Sequence, residues 1–311
     1  MNTIVEIYCY VMGFVTLGGW CWLWWRRDQS RAYERRAEWL RPRFLKLVLR
    51  AVSSEEGLEM IYPVWRVKGA QRIMAEVLFR TWAVSFGCDE AALREVMTHY
   101  GIEEWVVDRV SQSRGCVRAR YLAMLARLPV HGDILERMTP YLKSSAREVR
   151  FYALCVQLVA DPTGALRRLG EYGERFTLTE LAELMALLRR GVLPISYDLL
   201  LASPHNNLRS VGMAVVRRFS RRDAEEHLLR MLLTDDLRQI REVLFTLISI
   251  RASMLCREVI GSVGRLGDED RKILLRYMVS LGYGIETLRA LFGKEGERYG
   301  GHLIQTYKFS L

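Results

Sequence analysis

The sequence lacks the paired ligands that most metal sites use. Its five histidines are isolated from one another, no HExxH occurs, and its six cysteines form no CxxC pair. Structural and catalytic zinc sites need such ligands at short, regular spacings. The scattered cysteines also give no disulfide framework, which is typical of a reducing compartment. These absences exclude the common zinc-dependent and disulfide-stapled classes, and we expect no metal and no cofactor.

Motifs for nucleotide binding and for serine hydrolysis are missing as well. Residues 293–301 are rich in glycine, but they lack the GxxxxGK[ST] order and follow no predicted strand. No GxSxG motif occurs that would place a nucleophilic serine on a sharp turn. We therefore predict a protein that is not an enzyme, with no catalytic residues and no small-molecule substrate.

Lysine and arginine are absent from the first 25 residues, and an apolar run occupies most of them. The run from Ile4 to Trp25 has 22 residues with one charge, Glu6, and a helix of that length spans roughly 30 Å, the thickness of a bilayer core. Because the basic residues follow the run, the N-terminus is expected outside and the rest in the cytoplasm. We predict a single-pass anchor over 1–25 in the cytoplasmic (inner) membrane, with an apolar helix buried in a protein complex as the alternative.

Basic and aromatic residues gather where the apolar run ends. Residues 26–50 carry nine basic and three acidic side chains, so they hold +6 of the formal net charge of +10. Such a segment attracts anionic lipid headgroups by about 1 kcal/mol per basic residue, and indole rings favour the same depth. We predict a basic juxtamembrane helix over 26–50, broken or kinked at Pro42. Its membrane-surface residues are predicted to be Trp24, Trp25, Arg26, Arg27, Arg31, Arg35 and Arg36.

One face of the apolar run carries small and polar residues. At 100° per residue, Glu6, Cys9, Gly13 and Thr16 fall within one arc of a helix. Small residues let a second helix approach closely, and a carboxyl group near a bilayer favours a partner. The pattern predicts a seam for a partner's transmembrane helix, with a solvated Glu6 near the outer headgroups as the alternative.

Beyond residue 50, alternating β-branched runs are scarce and apolar residues recur at helical spacing. Segments of about a dozen residues repeat the i, i+3, i+4, i+7 pattern of an amphipathic helix. We therefore predict an all-α domain over 51–311. Short breaks separate its helices at Gly87, Pro129, Asp161-Pro162, 191–194, Ser203-Pro204 and Gly267.

A hydrophobic residue followed by arginine recurs near the start of several predicted helices. Arg118, Arg150, Arg209 and Arg241 are separated by 32, 59 and 32 residues, and 59 is close to two periods. In this feature the chain resembles the HEAT-repeat family of α-solenoids, whose first helix often carries a V-R-x-x-A-type pattern. The resemblance implies stacked helical pairs that share one core. We interpret the arginine row as binding an acidic group or a carbonyl on a neighbouring repeat, with ligand binding as the alternative.

These features favour binding over catalysis. The sequence predicts a non-catalytic, membrane-anchored scaffold or adaptor whose cytoplasmic HEAT-like solenoid binds an integral membrane protein. By analogy with other scaffolds, the expected setting is bacterial envelope polysaccharide synthesis or export, or secretion. The alternatives are a HEAT-like enzyme acting on nucleic acid or a tetrapyrrole, and a sensor of anionic lipid. Nucleic acid is the disfavoured partner, because most of the excess charge lies within 26–50.

Overall fold

A computed structural model shows the chain to be helical. The structure describes residues 2–53, 67, 69–84, 90–130, 132–188 and 196–298. Every regular element in these ranges is a helix, and no strand occurs within them. The predicted all-α class is therefore confirmed, whereas the solenoid arrangement stays a prediction. The predicted breaks at Gly87 and 191–194 lie outside the described residues, as does the tail from residue 299.

One very long helix is followed by many short ones. The α-helices are α1 (Asn2–Ser53), α2 (Ala70–Val84), α3 (Glu90–His99), α4 (Ile102–Gln112), α5 (Gly115–Leu125), α6 (Ile134–Met138), α7 (Arg147–Ala160), α8 (Ala165–Glu171), α9 (Leu178–Leu188), α10 (Tyr197–Leu201), α11 (Asn206–Phe219), α12 (Glu225–Met231), α13 (Leu237–Ser249), α14 (Arg257–Arg265), α15 (Asp268–Ser280) and α16 (Ile285–Phe292). Two 3-10 helices, Thr139–Lys143 and Arg222–Ala224, precede α7 and α12.

The remaining predicted breaks coincide with connections between helices. Pro129 lies between α5 and α6, Asp161-Pro162 between α7 and α8, and Ser203-Pro204 between α10 and α11. Gly267 is the N-cap residue of α15, in extended backbone. Proline lacks the N–H of a helix interior and glycine lowers helix stability, which explains these four breaks. Pro42 is an exception, because it lies inside α1, which is not broken there.

The predicted membrane anchor is wrong. The apolar run lies within α1, which continues through Pro42 into the basic residues and ends at Ser53. Across the described part of the chain, no helix combines the length and the apolarity that a membrane crossing requires. The run is poor in charge, but its tyrosine and tryptophan rings carry polar groups and its glycines add little apolar surface. The predicted localisation, single-pass in the inner membrane with the N-terminus outside and the rest in the cytoplasm, is therefore also wrong.

The chain divides into two compact units, Met1–Ala160 and Asp161–Leu311, which we call unit 1 and unit 2. In unit 1 the second half of α1 is amphipathic, and its core residues recur every three or four positions. Ala37, Leu40, Phe44 and Val48 are each at most 1% exposed. This face of α1 packs against α2 and α3. Burying this face fixes the rotation of α1 about its own axis. Polar residues of α1 such as Tyr33, Glu34 and Arg41 then lie close to α2.

The core of unit 2 is built around α11 and α13. Helix α11 packs against α8, α9, α10 and α13, and α13 in turn packs against α15. Ile240, Val243, Leu244 and Leu247 of α13 are fully buried. The helices α9, α11, α13 and α15 thus form a row in which each contacts the next, and one face of this row carries a groove described below.

Candidate functional site, an arginine-rich cleft

A cleft of about 410 Å³ opens between α1, α2 and α5 in unit 1. Five arginines and two glutamates line it, which gives these side chains a net charge of +3. Ligand sites commonly occupy 300–1,000 Å³, so the cleft is large enough for a small anionic group or a few residues of a peptide. Its lining residues are Tyr33, Glu34, Arg41, Arg72, Glu76, Phe79, Arg80, Arg120, Ala123, Met124 and Arg127.

Glu76 organises the centre of the cleft. Its carboxylate lies 3.2 Å from Nε of Arg72 and 3.6 Å from a terminal nitrogen of Arg41. Arg41 also lies 3.4 Å from the carboxylate of Glu34. The Glu76 side chain is only 15% exposed, so its contacts are shielded more than those of a surface ion pair. Two guanidinium groups are thereby held in place before any ligand arrives.

Two aromatic rings in the cleft are covered by arginines. The guanidinium of Arg72 lies 4.4 Å from the ring centre of Tyr33, and that of Arg127 lies 5.2 Å from the ring centre of Phe79. Both distances fit a cation–π interaction. The aromatic residues therefore position cations in this cleft.

The Tyr33 hydroxyl adds a buried donor to the cleft. Its oxygen is buried and interacts with the Glu76 carboxylate. Burial and the negative charge of Glu76 raise the pKa of Tyr33 to about 12, so the hydroxyl keeps its proton at neutral pH. The buried Nε of Arg41 has no hydrogen-bond partner among the described residues. Buried donors without acceptors are rare and unfavourable.

Arg80 and Arg120 complete the cleft from opposite helices, α2 and α5. Both side chains are exposed, and within the described ranges neither lies within 4.0 Å of a carboxylate. The two glutamates of the cleft contact Arg41 and Arg72 instead. Arg80 and Arg120 are therefore the cations of the cleft with which an incoming anion can pair without displacing a carboxylate.

The predicted arginine row lies elsewhere, and three of its members bind carbonyl oxygens. Arg118 donates to Val110 O at 3.0 Å and Ser111 O at 3.4 Å, which are among the last carbonyls of α4. These carbonyls have no intrahelical partner at a helix end, and a basic side chain satisfies them. Arg118 thus joins the end of one helix to the start of the next.

Arg150 and Arg209 repeat this arrangement. Arg150 donates to the carbonyls of Ser144 and Ser145, the latter at 2.9 Å. Arg209 donates to Ser203 O at 3.4 Å and to the Asn206 side chain. Both arginines therefore bind groups in the loop before their own helix or at its start.

Arg241 differs from the other three members of the row. It donates to the Asp270 carboxylate at 2.8 Å, from α13 to α15. The predicted role of the row, binding an acidic group or a carbonyl on a neighbouring repeat, stays a prediction. The four arginines therefore make contacts at helix ends or between helices. None of the four lines the unit 1 cleft.

The residues assigned to the first half of α1 are partly described. Glu6 and Cys9 lie in the helix, and their side chains are outside the described set. A Cβ at Gly13 would meet no atom within 4 Å, and the Thr16 hydroxyl donates to Met12 O and Gly13 O at 2.9 Å. The described part of the predicted seam therefore contacts nothing beyond its own helix.

The predicted membrane-surface residues also lie along α1. Trp24 is 70% exposed and Trp25 is 56% exposed. The guanidinium of Arg26 lies 5.3 Å from the ring centre of Trp22 in the same helix. These contacts are local, and they leave the binding of lipid headgroups an untested prediction. Arg27, Arg31, Arg35 and Arg36 are exposed on the same helix.

Sequence reasoning did not find the cleft, because its arginines come from α1, α2, α5 and the turn after α5, which are far apart in the sequence. Among the described residues, no group of three or more His, Cys, Asp or Glu side chains is placed to hold a metal. No family model matches the sequence, and no curated protein matches it significantly. The HEAT-repeat resemblance therefore stays a prediction, and function is argued from the geometry of the cleft.

Proposed function

We propose that this protein is a non-catalytic scaffold or adaptor of HEAT-like type, whose unit 1 cleft binds an acidic segment of a protein partner. The observation that supports this proposal is the net charge of +3 around a cleft of about 410 Å³. Arg80 and Arg120 supply exposed cations, while Arg41 and Arg72 are held by glutamates. A fixed set of cations selects an anionic partner and speeds its association.

The covered aromatic rings favour an acidic peptide over single-stranded nucleic acid. Proteins that bind single strands stack successive bases on open aromatic faces. In this cleft Tyr33 and Phe79 each have a guanidinium over the ring, at 4.4 and 5.2 Å. A guanidinium thus covers one face of each ring, which leaves less aromatic surface for base stacking and favours ion pairing with carboxylates.

The predicted integral membrane partner depended on the membrane span, which the structure does not support. The cleft depends on no span, so the proposal concerns the charge of the partner and not its location. An envelope synthesis, export or secretion complex remains one setting in which such a scaffold would act. A tagged purification of the full chain, followed by mass spectrometry, would identify a stoichiometric partner.

The direct test measures binding of a fluorescein-labelled Glu/Asp-rich decapeptide to the full chain by fluorescence anisotropy. The variant Arg80→Gln/Arg120→Gln is expected to bind about fivefold to thirtyfold more weakly, because each exposed ion pair contributes roughly 0.5–1 kcal/mol. Both side chains are exposed, so the fold should tolerate the change. Binding of the unaltered chain should also weaken as salt rises.

The matched control is Arg114→Gln/Lys143→Gln, which removes two exposed charges of unit 1 that do not line the cleft. It should bind the acidic peptide like the unaltered chain. Equal losses in both double variants would mean that binding follows net charge alone, and the proposal would fail. Tighter binding of an oligothymidylate or of phosphatidylserine vesicles, with the same dependence on Arg80 and Arg120, would instead support the nucleic-acid or lipid alternative.

A further inference from the structure

Unit 2 contains a groove that the unit 1 cleft does not explain. It runs across one face of α9, α11, α13 and α15, and its more enclosed part has a volume of about 460 Å³. A second lobe of about 640 Å³ shares Leu178, Leu181, Arg217, Ser249 and Tyr277 with it. Both volumes lie in the range of small-molecule sites.

The sequence builds this groove from one face of each helix. On α13, Arg238, Arg241, Phe245 and Ser249 follow one another at three- or four-residue intervals, and all line the groove. On α15, Asp270, Ile273 and Tyr277 do the same. Residues at this spacing share a helix face. Because α13 packs against both α11 and α15, these faces meet across the groove.

The walls of the groove are mainly apolar. Phe245 and Tyr277 contact each other with ring centres 5.2 Å apart. Leu178 and Ile273 line the groove and are 78% and 48% exposed. Exposed apolar side chains that border one cavity mark a surface whose burial by a ligand is favourable, at about 25 cal/mol per Å².

Arg217 places a cation in this apolar groove. Its guanidinium donates to the Thr246 hydroxyl at 2.7 Å. Thr246 is fully buried, and its own hydroxyl donates to Glu242 O at 2.8 Å. Desolvation lowers the pKa of Arg217, and the charge of Glu242 opposes that change. The guanidinium is therefore fixed in position and poorly hydrated.

The carboxylates of the groove are engaged with other groups. Asp270 accepts from Arg241 at 2.8 Å, and Glu242 accepts from the Ser210 hydroxyl at 2.8 Å. Of the described carboxylates, none lies within 4.0 Å of the Arg217 guanidinium. Three arginines and two carboxylates line the enclosed part, so these groups carry a net charge of +1. One further negative charge would balance them.

We infer that this groove binds a small amphiphile, one carboxylate on an apolar chain, with Arg217 as the residue that binds the carboxylate. The apolar walls would take the chain, and the volume suits a molecule of fatty-acid size. A poorly hydrated guanidinium pairs well with a carboxylate, because little water has to be removed from it. The inference does not depend on the proposed function, since it uses a different unit and a different ligand.

The test is calorimetric titration of the full chain with dodecanoate below its micelle concentration. We expect one equivalent of dodecanoate to bind. Dodecanol, which has the same chain without the charge, should bind at least about tenfold more weakly. Arg217→Met keeps the apolar length of the side chain and should reduce dodecanoate affinity to the level of dodecanol. The exposed Arg257→Met, outside the groove, should bind dodecanoate like the unaltered chain.

A second variant guards against misfolding of Arg217→Met. Leu178→Asp changes an exposed wall residue, so it should fold normally while its carboxylate repels the ligand. Thermal unfolding followed by circular dichroism checks both variants. The inference would be overturned by no dodecanoate binding, by unchanged affinity in a folded Leu178→Asp, or by equal affinity for dodecanol. Binding of an apolar pentapeptide with a free C-terminus, without binding of dodecanoate, would also overturn it.

Discussion

Single polar side chains fix the loops between several helices. Asn207, which is 6% exposed, donates to Tyr172 O at 2.8 Å and to Glu174 O at 2.9 Å. Its side-chain oxygen accepts from the Phe176 N–H at 3.3 Å. One amide therefore satisfies three backbone groups of the loop before α9. The groove wall residue Phe176 is positioned by this contact, so a loop contact prepares the proposed ligand site.

Asp161 fixes the start of unit 2 in a similar way. Its carboxylate accepts from the Thr163 hydroxyl, from Arg168 at 2.7 Å and from the Gly164 N–H at 3.3 Å. These hydrogen bonds, chiefly that from Thr163 and then that from Arg168, lower the pKa of Asp161 from 3.8 to about 2. The folded state therefore binds a proton at Asp161 less readily than the unfolded state does.

This shift predicts a pH dependence of stability. The stabilisation from Asp161 is fully present above about pH 4, and it is lost as pH falls through about pH 2. Asp161→Asn should therefore unfold at lower urea concentration near pH 5 and lose less stability than the unaltered chain on acidification. Urea unfolding at several values from about pH 5 to about pH 2 measures the difference.

Asp133→Asn provides the comparison for this prediction. Asp133 is exposed, and its carboxylate accepts no hydrogen bond from a described residue. Its variant should follow the pH profile of the unaltered chain. Parallel profiles for Asp161→Asn and the unaltered chain would show that the contacts of Asp161 do not stabilise the fold.

At the scale of helices, Gly212 shows how a close approach overrides helix propensity. It lies within α11, where a Cβ would meet Leu200 Cβ at 2.9 Å and the Leu201 backbone nitrogen at 3.1 Å. Glycine lowers helix stability by about 1 kcal/mol relative to alanine, but here it lets α11 lie directly against α10. Packing between α10 and α11 therefore requires glycine at position 212, despite the low helix propensity of glycine.

Gly212→Ala should destabilise the fold. Overpacking costs about 1–3 kcal/mol and the gain in helix propensity is about 1 kcal/mol, so the net loss is up to about 2 kcal/mol. Gly261→Ala in α14 is the matched control, because a Cβ there meets nothing within 4 Å and the position is exposed. It should gain about 0.5–1 kcal/mol. Chemical denaturation measures the free energy of unfolding of both variants. A Gly212→Ala variant more stable than the unaltered chain would refute the close approach of α10 and α11.

At the scale of the molecule, the chain divides at residues 160 and 161. Each unit has its own buried residues, such as Leu40 and Phe44 in unit 1 and Leu244 and Leu247 in unit 2. A unit with its own core can fold alone. Residues 161–311 expressed alone are therefore expected to give a helical circular dichroism spectrum and a cooperative thermal transition. A broad, non-cooperative loss of signal would mean that this core is insufficient.

The helix ends were the most predictable part of the fold. Pro129, Pro162, Pro204 and Gly267 mark connections because proline and glycine act on the backbone locally. Pro42 and Gly212 nevertheless lie inside helices. The prediction that the first helix crosses a membrane was wrong for a different reason. Counting charges in Ile4 to Trp25 overlooked the amphipathic character of tyrosine and tryptophan, and the described helices include none fit to cross a membrane.

The sequence by itself determined the all-α class, four of the connections between helices and the excess of positive charge, since these depend on periodicity, backbone preference and composition. Only the tertiary structure decided which arginines act together. It brings Arg80 and Arg120 to one cleft across forty positions of sequence, and it leaves Arg217 beside a hydroxyl in an apolar groove. The physical reason is that a charge acquires its role from its neighbours and its hydration, and both are set by how helices distant in sequence pack.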